Sequence, residues 1–308
     1  MYFSEQDVRA VLTYPALIPV IRQALIDYSG GRVEQPPRTI LRAGNAEGAR
    51  NGWFAVMPVI HGDAMGVKTV TFFPGNAELG LHTHLAIIEL LNRSTGEPLA
   101  VMDGRLITEM RTAAVSAVAL AALAPPEVRS LGILGSGVQA RSHLQALRMV
   151  RPSLIDIRIW SRNSANSKKL AAETGASSVP IEEAAAADVV LTATASPEPV
   201  LQGRWLARQS LILAVGAVGA HLRELDDEAI LGGYLVAESR QSIEREAGDV
   251  VLSGAKVQAE IGEILANPSA FKPPASARIV FKSVGMAVED LVAARLVWLA
   301  RSATATLP

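Results

Sequence analysis

Residues 130–140, SLGILGSGVQA, carry the strongest indication of the fold of this chain. Ser130–Leu134 is a short apolar run typical of a buried strand, and the residues after it, 135–140, fit the pattern G-x-G-x-x-G/A. In that pattern the first glycine permits a tight turn, the second lets a pyrophosphate approach the backbone, and the third small residue lets the helix pack close to the strand. A tight turn in another α/β fold is the alternative, but the strand–turn–helix context favours a dinucleotide-binding unit.

Short apolar segments alternate with helical patterns after this motif. Helical spacing is present at Gln139–Met149 and at Ala165–Thr174. The strands expected there are Ile155–Trp160, Asp188–Ala193, Ser210–Val215 and Tyr234–Ala237. Strands separated by helices build a parallel sheet with helices on both faces. The sequence therefore predicts an α/β fold with a Rossmann-type, doubly wound parallel sheet.

Residues 32–103 have a different pattern, which indicates a separate α+β domain. Their apolar runs are short and bounded by Gly, Asn and Pro, as in an antiparallel sheet. The runs are Thr39–Leu41, Trp53–Met57, Gly66–Phe72, Leu85–Asn92 and Pro98–Met102.

Helices are expected on both sides of these strands. Residues 4–30 have helical spacing, and we expect Pro15 and Pro19 to divide them into two short helices. Ala-rich and apolar-striped patterns predict further helices over Thr108–Leu123 and Val284–Ala303.

Composition excludes several classes of protein. The chain has 308 residues, 49% of them hydrophobic, which is enough for a sizeable core in one or two domains. Its 29 Lys+Arg and 30 Asp+Glu give a net charge of −1, without the basic surplus that nucleic-acid binding needs. The absence of cysteine excludes disulfides, thiolate metal sites and a cysteine nucleophile. No signal-peptide pattern is present, and the apolar stretches are shorter than the ~20 residues of a spanning helix. We therefore expect a soluble, cytoplasmic protein with no membrane or nucleic-acid partner.

The end of the second strand of the predicted parallel sheet discriminates between NAD and NADP. NAD-binding chains commonly carry an acidic residue there, which accepts a hydrogen bond from the ribose 2′-hydroxyl. Here Trp160 is followed by Ser161, Arg162 and Asn163, with no acidic residue. A guanidinium beside small polar side chains suits a 2′-phosphate, so we expect NADP(H) to be preferred. A merely solvated Arg162, with NAD(H) as the cofactor, is the alternative.

Cationic and polar residues ahead of the glycine motif are candidates for substrate binding. They are Arg38, Lys68, the run His82-Thr83-His84, and Arg111-Thr112. Lys68 lies in an otherwise apolar strand segment, where lysine is rarely buried without a partner. Two arginines and a lysine that converge would hold a substrate carboxylate. Ordinary surface charge explains the same residues equally well. His82 and His84 lack a third ligand cluster of suitable spacing, so no metal site is expected.

Six collinear blocks carry a family resemblance. They are residues 101–104 (VMDG), 107–117 (from Ile107-Thr108 to RTAAVSA), 133–140 (ILGSGVQA), 223–227 (RELDD), 248–255 (GDVVLSGA) and 281–290 (FKSVGMAVED). With these blocks the chain resembles the ornithine cyclodeaminase/mu-crystallin family over essentially its whole length. It is closer to the mu-crystallin (ketimine reductase) branch than to the bacterial ornithine cyclodeaminases.

The resemblance implies a domain organisation. Residues 1–115 would form a substrate-binding and dimerisation domain, and residues 116–286 an NAD(P)-binding Rossmann domain. A C-terminal helix at 287–308 would pack back on the first domain. The resemblance further implies a homodimer that binds NAD(H) or NADP(H) and acts on amino acids or their cyclic imines.

The resemblance also implies roles for individual residues. Arg38, Lys68 and Arg111 match positions that hold the substrate carboxylate, and Lys68 is our candidate for the catalytic acid. The positions that match cofactor contacts are Thr83, His84, Arg111, Thr112, Gly135, Ser136, Gly137, Val138, Gln139, Ser161, Arg162, Asn163, Thr194, Ala195, Val215, Gly216, Val218 and Ser283.

One position departs from the family pattern. Ornithine cyclodeaminases and related amino-acid dehydrogenases carry an Asp shortly after the Val-Gly at a strand end, and Val218 stands at the aligned place here. An apolar side chain cannot move a proton or bind a substrate ammonium. A shift of the alignment by a few residues is the alternative. The nearby Asp226 and Asp227 match acids of the reductase branch and are typical of a helix start.

The expected activity is NAD(P)H-dependent reduction of a cyclic ketimine carboxylate to a cyclic amino acid. The substrate would be of the pyrroline- or piperideine-2-carboxylate type. One alternative is ornithine cyclodeaminase, which converts L-ornithine to L-proline plus ammonia with NAD as a catalytic cofactor. The other alternative is a non-catalytic, NADPH-bound, crystallin-like binding protein.

Overall fold

The computed structural model describes residues 1–44, 51–274 and 276–305, and the chain forms two compact units. The first unit comprises Met1–Arg111 and Met286–Pro308, and the second comprises Thr112–Gly285. The first division lies four residues before the predicted boundary at 115/116. A helix continues through it without a loop or a Pro/Gly cluster, so the sequence carries no local signal of the boundary.

The first unit consists of helices around a mainly antiparallel sheet. Up to the division its elements are β1 (Tyr2–Phe3), α1 (Glu5–Val11), α2 (Tyr14–Ser29), β2 (Val33–Glu34), β3 (Thr39–Ala43), β4 (Gly52–His61), β5 (Ala64–Phe72), β6 (His84–Asn92), β7 (Pro98–Asp103) and α3 (Arg105–Leu123). The strand order is β1-β7-β6-β5-β4-β2, and β3 also pairs with β4. β1 runs parallel to β7, and the other pairs are antiparallel.

The sequence predicts that Pro15 and Pro19 divide the N-terminal region into two helices. Two helices are present, but neither proline separates them. The chain breaks at residues 12–13, Pro15 lies in the first turn of α2, and Pro19 lies inside α2 without ending it. A first-turn proline is tolerated because its missing N–H would have no partner within the helix. The loss of one hydrogen bond at Pro19 is offset by the buried face of α2, which includes Leu17 and Ile21.

The second unit is an eight-stranded parallel sheet with helices. Its elements after α3 are β8 (Ser130–Leu134), α4 (Val138–Val150), β9 (Asp156–Trp160), α5 (Ser164–Thr174), β10 (Ser177–Ser178), α6 (Ile181–Ala185), β11 (Val189–Thr192), β12 (Leu211–Ala214), α7 (Asp227–Leu231), β13 (Gly233–Ala237), α8 (Arg240–Glu246), α9 (Gly248–Val251), β14 (Ala259–Glu260), α10 (Ile261–Ala266) and β15 (Arg278–Lys282). The order is β10-β9-β8-β11-β12-β15-β13-β14. The predicted Rossmann-type α/β fold is confirmed.

Packing in the second unit depends on a small residue in the first parallel strand. A Cβ added at Gly132 would lie 1.8 Å from the carbonyl oxygen of Ala184, so α6 approaches the backbone of β8 directly. The central strands β11 and β12 are buried along their whole length, as expected for a sheet covered on both faces.

The C-terminal helix α11 (Ala287–Ala305) belongs to the first unit and packs against α2, β4 and β5. It begins at residue 287, as the family resemblance implied, and three residues after the start that the apolar pattern predicted at Val284. Residues 306–308, which the resemblance included in this helix, lie outside the described residues.

Helix α3 has the length and hydropathy of a membrane span, although its longest apolar run is short. Helices α1 and α2 taken together also have the length and hydropathy of a membrane span, but they are bent by 92° at the break between them. In α3, 72% of the apolar window is buried inside the protein, as in the core helices of folded domains.

Candidate active site

The pairing register of the first unit's sheet places Lys68 on its covered face. Lys68 pairs with Met57 on β4 and Ile88 on β6, and only 3% of its surface is exposed. Gly66, two residues earlier on β5, shares this face, and a Cβ added there would lie 3.1 Å from Leu291 of α11. The covered face of β5 therefore lies against α11, and the Lys68 side chain points toward the first turn of that helix.

Asp290, in the first turn of α11, joins Lys68 to Arg111. Its Oδ2 lies 2.5 Å from Lys68 Nζ, and its Oδ1 accepts a hydrogen bond of 3.1 Å from Arg111 Nε. Glu289, the preceding residue, accepts a hydrogen bond of 2.9 Å from Arg111 Nη1. All four side chains are buried, and buried charges are stable only when paired in this way.

The environment of Lys68 makes its ammonium group unusually acidic. Burial and the positive charges of Arg111 and Arg38, opposed by the negative charge of Asp290, together lower the pKa of Lys68 to about 8. At pH 7 the protonated form still predominates, but a proton leaves Lys68 far more readily than it leaves an exposed lysine. Arg38, which is half-buried in the segment before β3, is near enough for its charge to act on Lys68.

Thr83 and His84 lie at the end of the same sheet. His84 is opposite Phe72 in the β5–β6 pair, with ring centroids 4.4 Å apart, and its Nδ1 is 3.3 Å from Thr83 Oγ1. Desolvation, followed by the positive charge of Lys68, lowers the pKa of His84 to about 4. This downward shift leaves His84 neutral at pH 7.

The structure thus brings Arg38, Lys68 and Arg111 together in the first unit, and we call these three residues the cationic cluster. The sequence did not identify the acidic partners, Glu289 and Asp290. Acidic residues in the first turn stabilise the N-terminus of any helix. The position of Glu289 and Asp290 therefore did not indicate that they pair with Lys68 or Arg111.

The glycine turn of the second unit has the geometry that a dinucleotide requires. Gly135 has a φ of +135°, and a Cβ there would lie 2.6 Å from the carbonyl oxygen of Ala193. Gly137 is the N-cap of α4, and a Cβ added to it would meet nothing within 4 Å. Open space in front of a helix N-terminus is where a pyrophosphate is bound in this motif.

The loop after β9 is joined to this turn. Ser136 Oγ donates a hydrogen bond of 2.9 Å to Ser161 Oγ, and Arg162 is exposed in the same loop. The Asn163 side chain accepts a hydrogen bond of 3.0 Å from the N–H of Ala165 and so caps α5. This cap gives Asn163 a structural role independent of any ligand.

Every predicted cofactor residue of the second unit except Thr112 follows the carboxyl end of a strand or begins α4. They follow β8 (Gly135, Ser136, Gly137), β9 (Ser161, Arg162, Asn163), β11 (Thr194, Ala195), β12 (Val215, Gly216, Val218) and β15 (Ser283), while Val138 and Gln139 begin α4. These five strands are adjacent in the sheet and parallel, so the residues share one edge, where ligands of such sheets bind.

A buried glutamate that the sequence did not single out connects two of these loops. Glu224 Oε1 accepts from the N–H and the hydroxyl of Thr194 at 2.6 and 2.8 Å. Its Oε2 accepts from the Thr192 hydroxyl and from the N–H groups of Gly216 and Ala217 at 2.8–3.1 Å. Burial raises the pKa of Glu224, and the positive charge of Lys282 opposes that effect.

Two further buried acids hold the neighbouring segments. Asp249 accepts from the N–H groups of Glu224 and Leu225, and its Oδ2 is 2.9 Å from Lys282 Nζ. Glu238 accepts a hydrogen bond of 2.7 Å from the hydroxyl of Ser283. Family blocks contained Glu224, Asp249 and Lys282, but local sequence patterns could not show that these residues meet.

Comparisons with known proteins agree with this architecture. The profile of the ornithine cyclodeaminase/mu-crystallin family matches residues 1–304. A ketimine reductase mu-crystallin of Mus musculus is 41% identical over 92% of this chain and 91% of its own. The structure of Thermococcus litoralis Delta(1)-pyrroline-2-carboxylate reductase with NADH and L-proline superposes with a TM-score of 0.91, at 32% identity over 99% of this chain and 98% of its own. An archaeal alanine dehydrogenase dimer with bound NAD gives a TM-score of 0.92, at 27% identity over 100% and 98% of the two chains. The resemblance carried by the six sequence blocks is therefore confirmed, and the chain belongs to the ornithine cyclodeaminase/mu-crystallin family.

Proposed function

We propose that this protein is an NAD(P)H-dependent reductase that converts a cyclic ketimine carboxylate to a cyclic amino acid. The proposal is supported by the relatives, one a ketimine reductase and one a pyrroline-carboxylate reductase. The observation that carries it is the buried contact of Lys68 and Arg111 with a single carboxylate, that of Asp290. Surface charge, the alternative explanation for these residues, does not account for buried cations.

The cationic cluster would bind the substrate carboxylate. Arg38, Lys68 and Arg111 carry three positive charges, and Glu289 and Asp290 carry two negative charges. A substrate carboxylate would accept hydrogen bonds from these cations, and its negative charge would be stabilised beside them. An arginine also offers two parallel donors to a carboxylate and so fixes its orientation.

Lys68 is the proposed proton donor. When hydride adds to the carbon of a C=N bond, the nitrogen gains a proton and becomes a secondary amine. Lys68 Nζ would hold that proton, and its pKa of about 8 is close to the optimum for a general acid near neutral pH. His84, neutral at pH 7, would supply a hydrogen-bonding group without adding charge.

The carboxyl edge of the parallel sheet would hold the dinucleotide. Gly135, Ser136 and Gly137 would receive the pyrophosphate, and Thr194 and Gly216 are held in place by Glu224 for further contacts. Arg162 after β9 favours NADP(H) over NAD(H). A bound nicotinamide dinucleotide supplies the hydride.

Val218 argues against the alternative hypothesis that the protein is an ornithine cyclodeaminase. Its side chain is partly buried and packs against the hydrophobic core of the second unit. It offers no acid for binding or deprotonating an amino group. The cationic cluster likewise disfavours a non-catalytic binding protein, since a dinucleotide alone does not require it.

We further propose a homodimer formed through the first unit, in the cytoplasm. The outer face of its sheet is apolar and open: Leu41, Leu85 and Ile87 are 58, 47 and 53% exposed. The register places Leu41 and Leu85 in one cross-strand row, with Ile87 in the next row. Exposed apolar side chains on a sheet face are typical of protein interfaces, and a structural neighbour is a dimer.

The test measures NADPH oxidation with pyrroline-2-carboxylate and with piperideine-2-carboxylate, beside ammonia release from L-ornithine with NAD. We expect imine-dependent NADPH oxidation and no ammonia. Ammonia and proline without net NADH formation would instead establish a cyclodeaminase. The Lys68→Met variant, which removes the ammonium but keeps much of the side-chain volume, should lose about 100-fold or more in kcat.

A further inference from the structure

The two acids in the first turn of α11 contact the cationic cluster differently. Asp290 contacts both Lys68 and Arg111 with separate carboxylate oxygens. Glu289 Oε2 contacts Arg111 and also accepts a hydrogen bond of 3.2 Å from the N–H of Met286. The two neighbouring acids therefore share Arg111 but differ in their second partner, which is Lys68 for Asp290 and the N–H of Met286 for Glu289.

We propose that Asp290 is a positioning residue that keeps Lys68 protonated and aligned with Arg111, whereas Glu289 orients Arg111 alone. The inference rests on the proposed function, because it takes Lys68 and Arg111 as the residues that bind the substrate carboxylate. Glu289 and Asp290 thereby have separate roles, neither of which is part of the proposed reaction itself.

The charges around Lys68 support this role for Asp290. Arg111 faces Lys68 from α3, Arg38 from the segment before β3, neutral His84 from β6, and Asp290 from α11. Burial and both arginines favour the neutral amine. Asp290, in direct contact, opposes all three, so removing its charge must lower the pKa of Lys68 below its present value.

The geometry gives Asp290 a second effect. Lysine has a flexible four-carbon stem, and its ammonium has no preferred orientation of its own. The two oxygens of the Asp290 carboxylate bind Lys68 Nζ and Arg111 Nε, so one rigid group sets the spacing between the two cations. A substrate carboxylate that binds both cations requires that spacing.

The experiment compares Asp290→Asn with Glu289→Gln, two neutral, nearly isosteric changes at adjacent residues. For each variant, kcat/KM for the imine and the dissociation constant of L-proline are measured across pH 6–10. The L-proline amine titrates above most of this range, so it leaves the pH dependence of binding to the protein. Asp63→Asn is the control, because it breaks a partly exposed ion pair between the β4–β5 hairpin and Arg295 of α11 without touching the cluster.

In the wild type, kcat/KM and L-proline affinity should fall at alkaline pH, near the pKa of Lys68. The reason is that only protonated Lys68 binds the carboxylate and donates a proton. We call this fall the alkaline limb. In Asp290→Asn we expect this limb to move at least about one pH unit lower, with proline affinity at pH 8 reduced about tenfold. Glu289→Gln should raise KM, because Arg111 is then misplaced. Its alkaline limb should move much less than that of Asp290→Asn. Asp63→Asn should match the wild type.

Coincident limbs in Asp290→Asn and the wild type would overturn the inference, and so would an equal shift in Glu289→Gln. A wild-type enzyme silent with both imines would reject the proposed function instead, so the two failures are distinguishable.

A double-mutant cycle covers the case in which Asp290→Asn fails to fold, as judged by loss of NADPH binding. Lys68→Met combined with Asp290→Asn removes both members of the ion pair. Recovery of folding and NADPH binding in the double variant supports the pairing. A double variant no more stable than the worse single variant contradicts it.

Discussion

Replacement of Glu224 by Gln tests whether the second unit depends on this one buried carboxylate. The Glu224 oxygens accept five hydrogen bonds, two at Oε1 and three at Oε2, and each oxygen accepts at least one from a backbone N–H. A glutamine must place its NH2 group where one of these oxygens lies. Whichever way the amide is turned, a backbone N–H of Thr194, or those of Gly216 and Ala217, then faces another donor.

The magnitude follows from the groups left without an acceptor. One buried, unsatisfied N–H costs about 1–3 kcal/mol, and losing the negative charge near Lys282 adds to that cost. A total of about 3 kcal/mol corresponds to a fall in Tm of roughly 6–12 °C for a unit of this size. Because the same bonds hold the loops after β11 and β12, the affinity for NADPH should fall as well.

Thermal unfolding followed by circular dichroism, with and without NADPH, measures both effects. Glu198→Gln is the matched control, since Glu198 lies in the loop after β11, one of the two loops that Glu224 binds, but is itself exposed. The reasoning is refuted if Glu224→Gln unfolds within a degree or two of the wild type, or if Glu198→Gln loses as much. A reduced Tm with unchanged NADPH affinity would show that the network stabilises the fold without positioning the loops.

Three further predictions concern the cofactor, the assembly and acid stability. Arg162→Ala should weaken NADPH binding about tenfold or more and leave NADH binding nearly unchanged, as measured by titration calorimetry with both dinucleotides; equal losses would reject a 2′-phosphate contact. Ile87→Glu places a charge on the exposed apolar sheet face and should shift a dimer toward monomer in sedimentation experiments, whereas Arg93→Glu, at the exposed β6–β7 turn, should not. Burial alone would raise the pKa of Asp27, but hydrogen bonds from Arg32, Gln23 and His61 lower it, so its contribution to stability is present above the unfolded-state pKa and is lost as pH falls through the folded-state pKa. Asp27→Asn should therefore reduce Tm at pH 7 by a few degrees and by progressively less below about pH 4; a gap independent of pH would contradict this assignment.

The strand–helix alternation and the glycine turn were readable in the sequence because they are local. A buried parallel strand is a short apolar run, and a dinucleotide turn needs glycine at fixed positions, one of which has a φ of +135°. The boundaries of β8, β9 and α5 consequently agree with the prediction to within one residue. Pro19 misled the helix prediction because tertiary burial of α2 outweighs the loss of one hydrogen bond.

The family, the Rossmann-type sheet and the cationic residues of a possible carboxylate site all follow from sequence patterns. The acids that complete this site are visible only in the folded protein. Lys68 and Asp290 are more than 200 positions apart, and they meet because the β5 register turns Lys68 toward α11 and because α11 returns to the first unit. Likewise, Glu224 accepts hydrogen bonds from two separate segments, residues 192–194 and 216–217, which are adjacent only in the folded sheet. Local patterns report backbone conformation, whereas the pairing of buried charges depends on long-range packing, and a single sequence does not encode that packing in any short stretch.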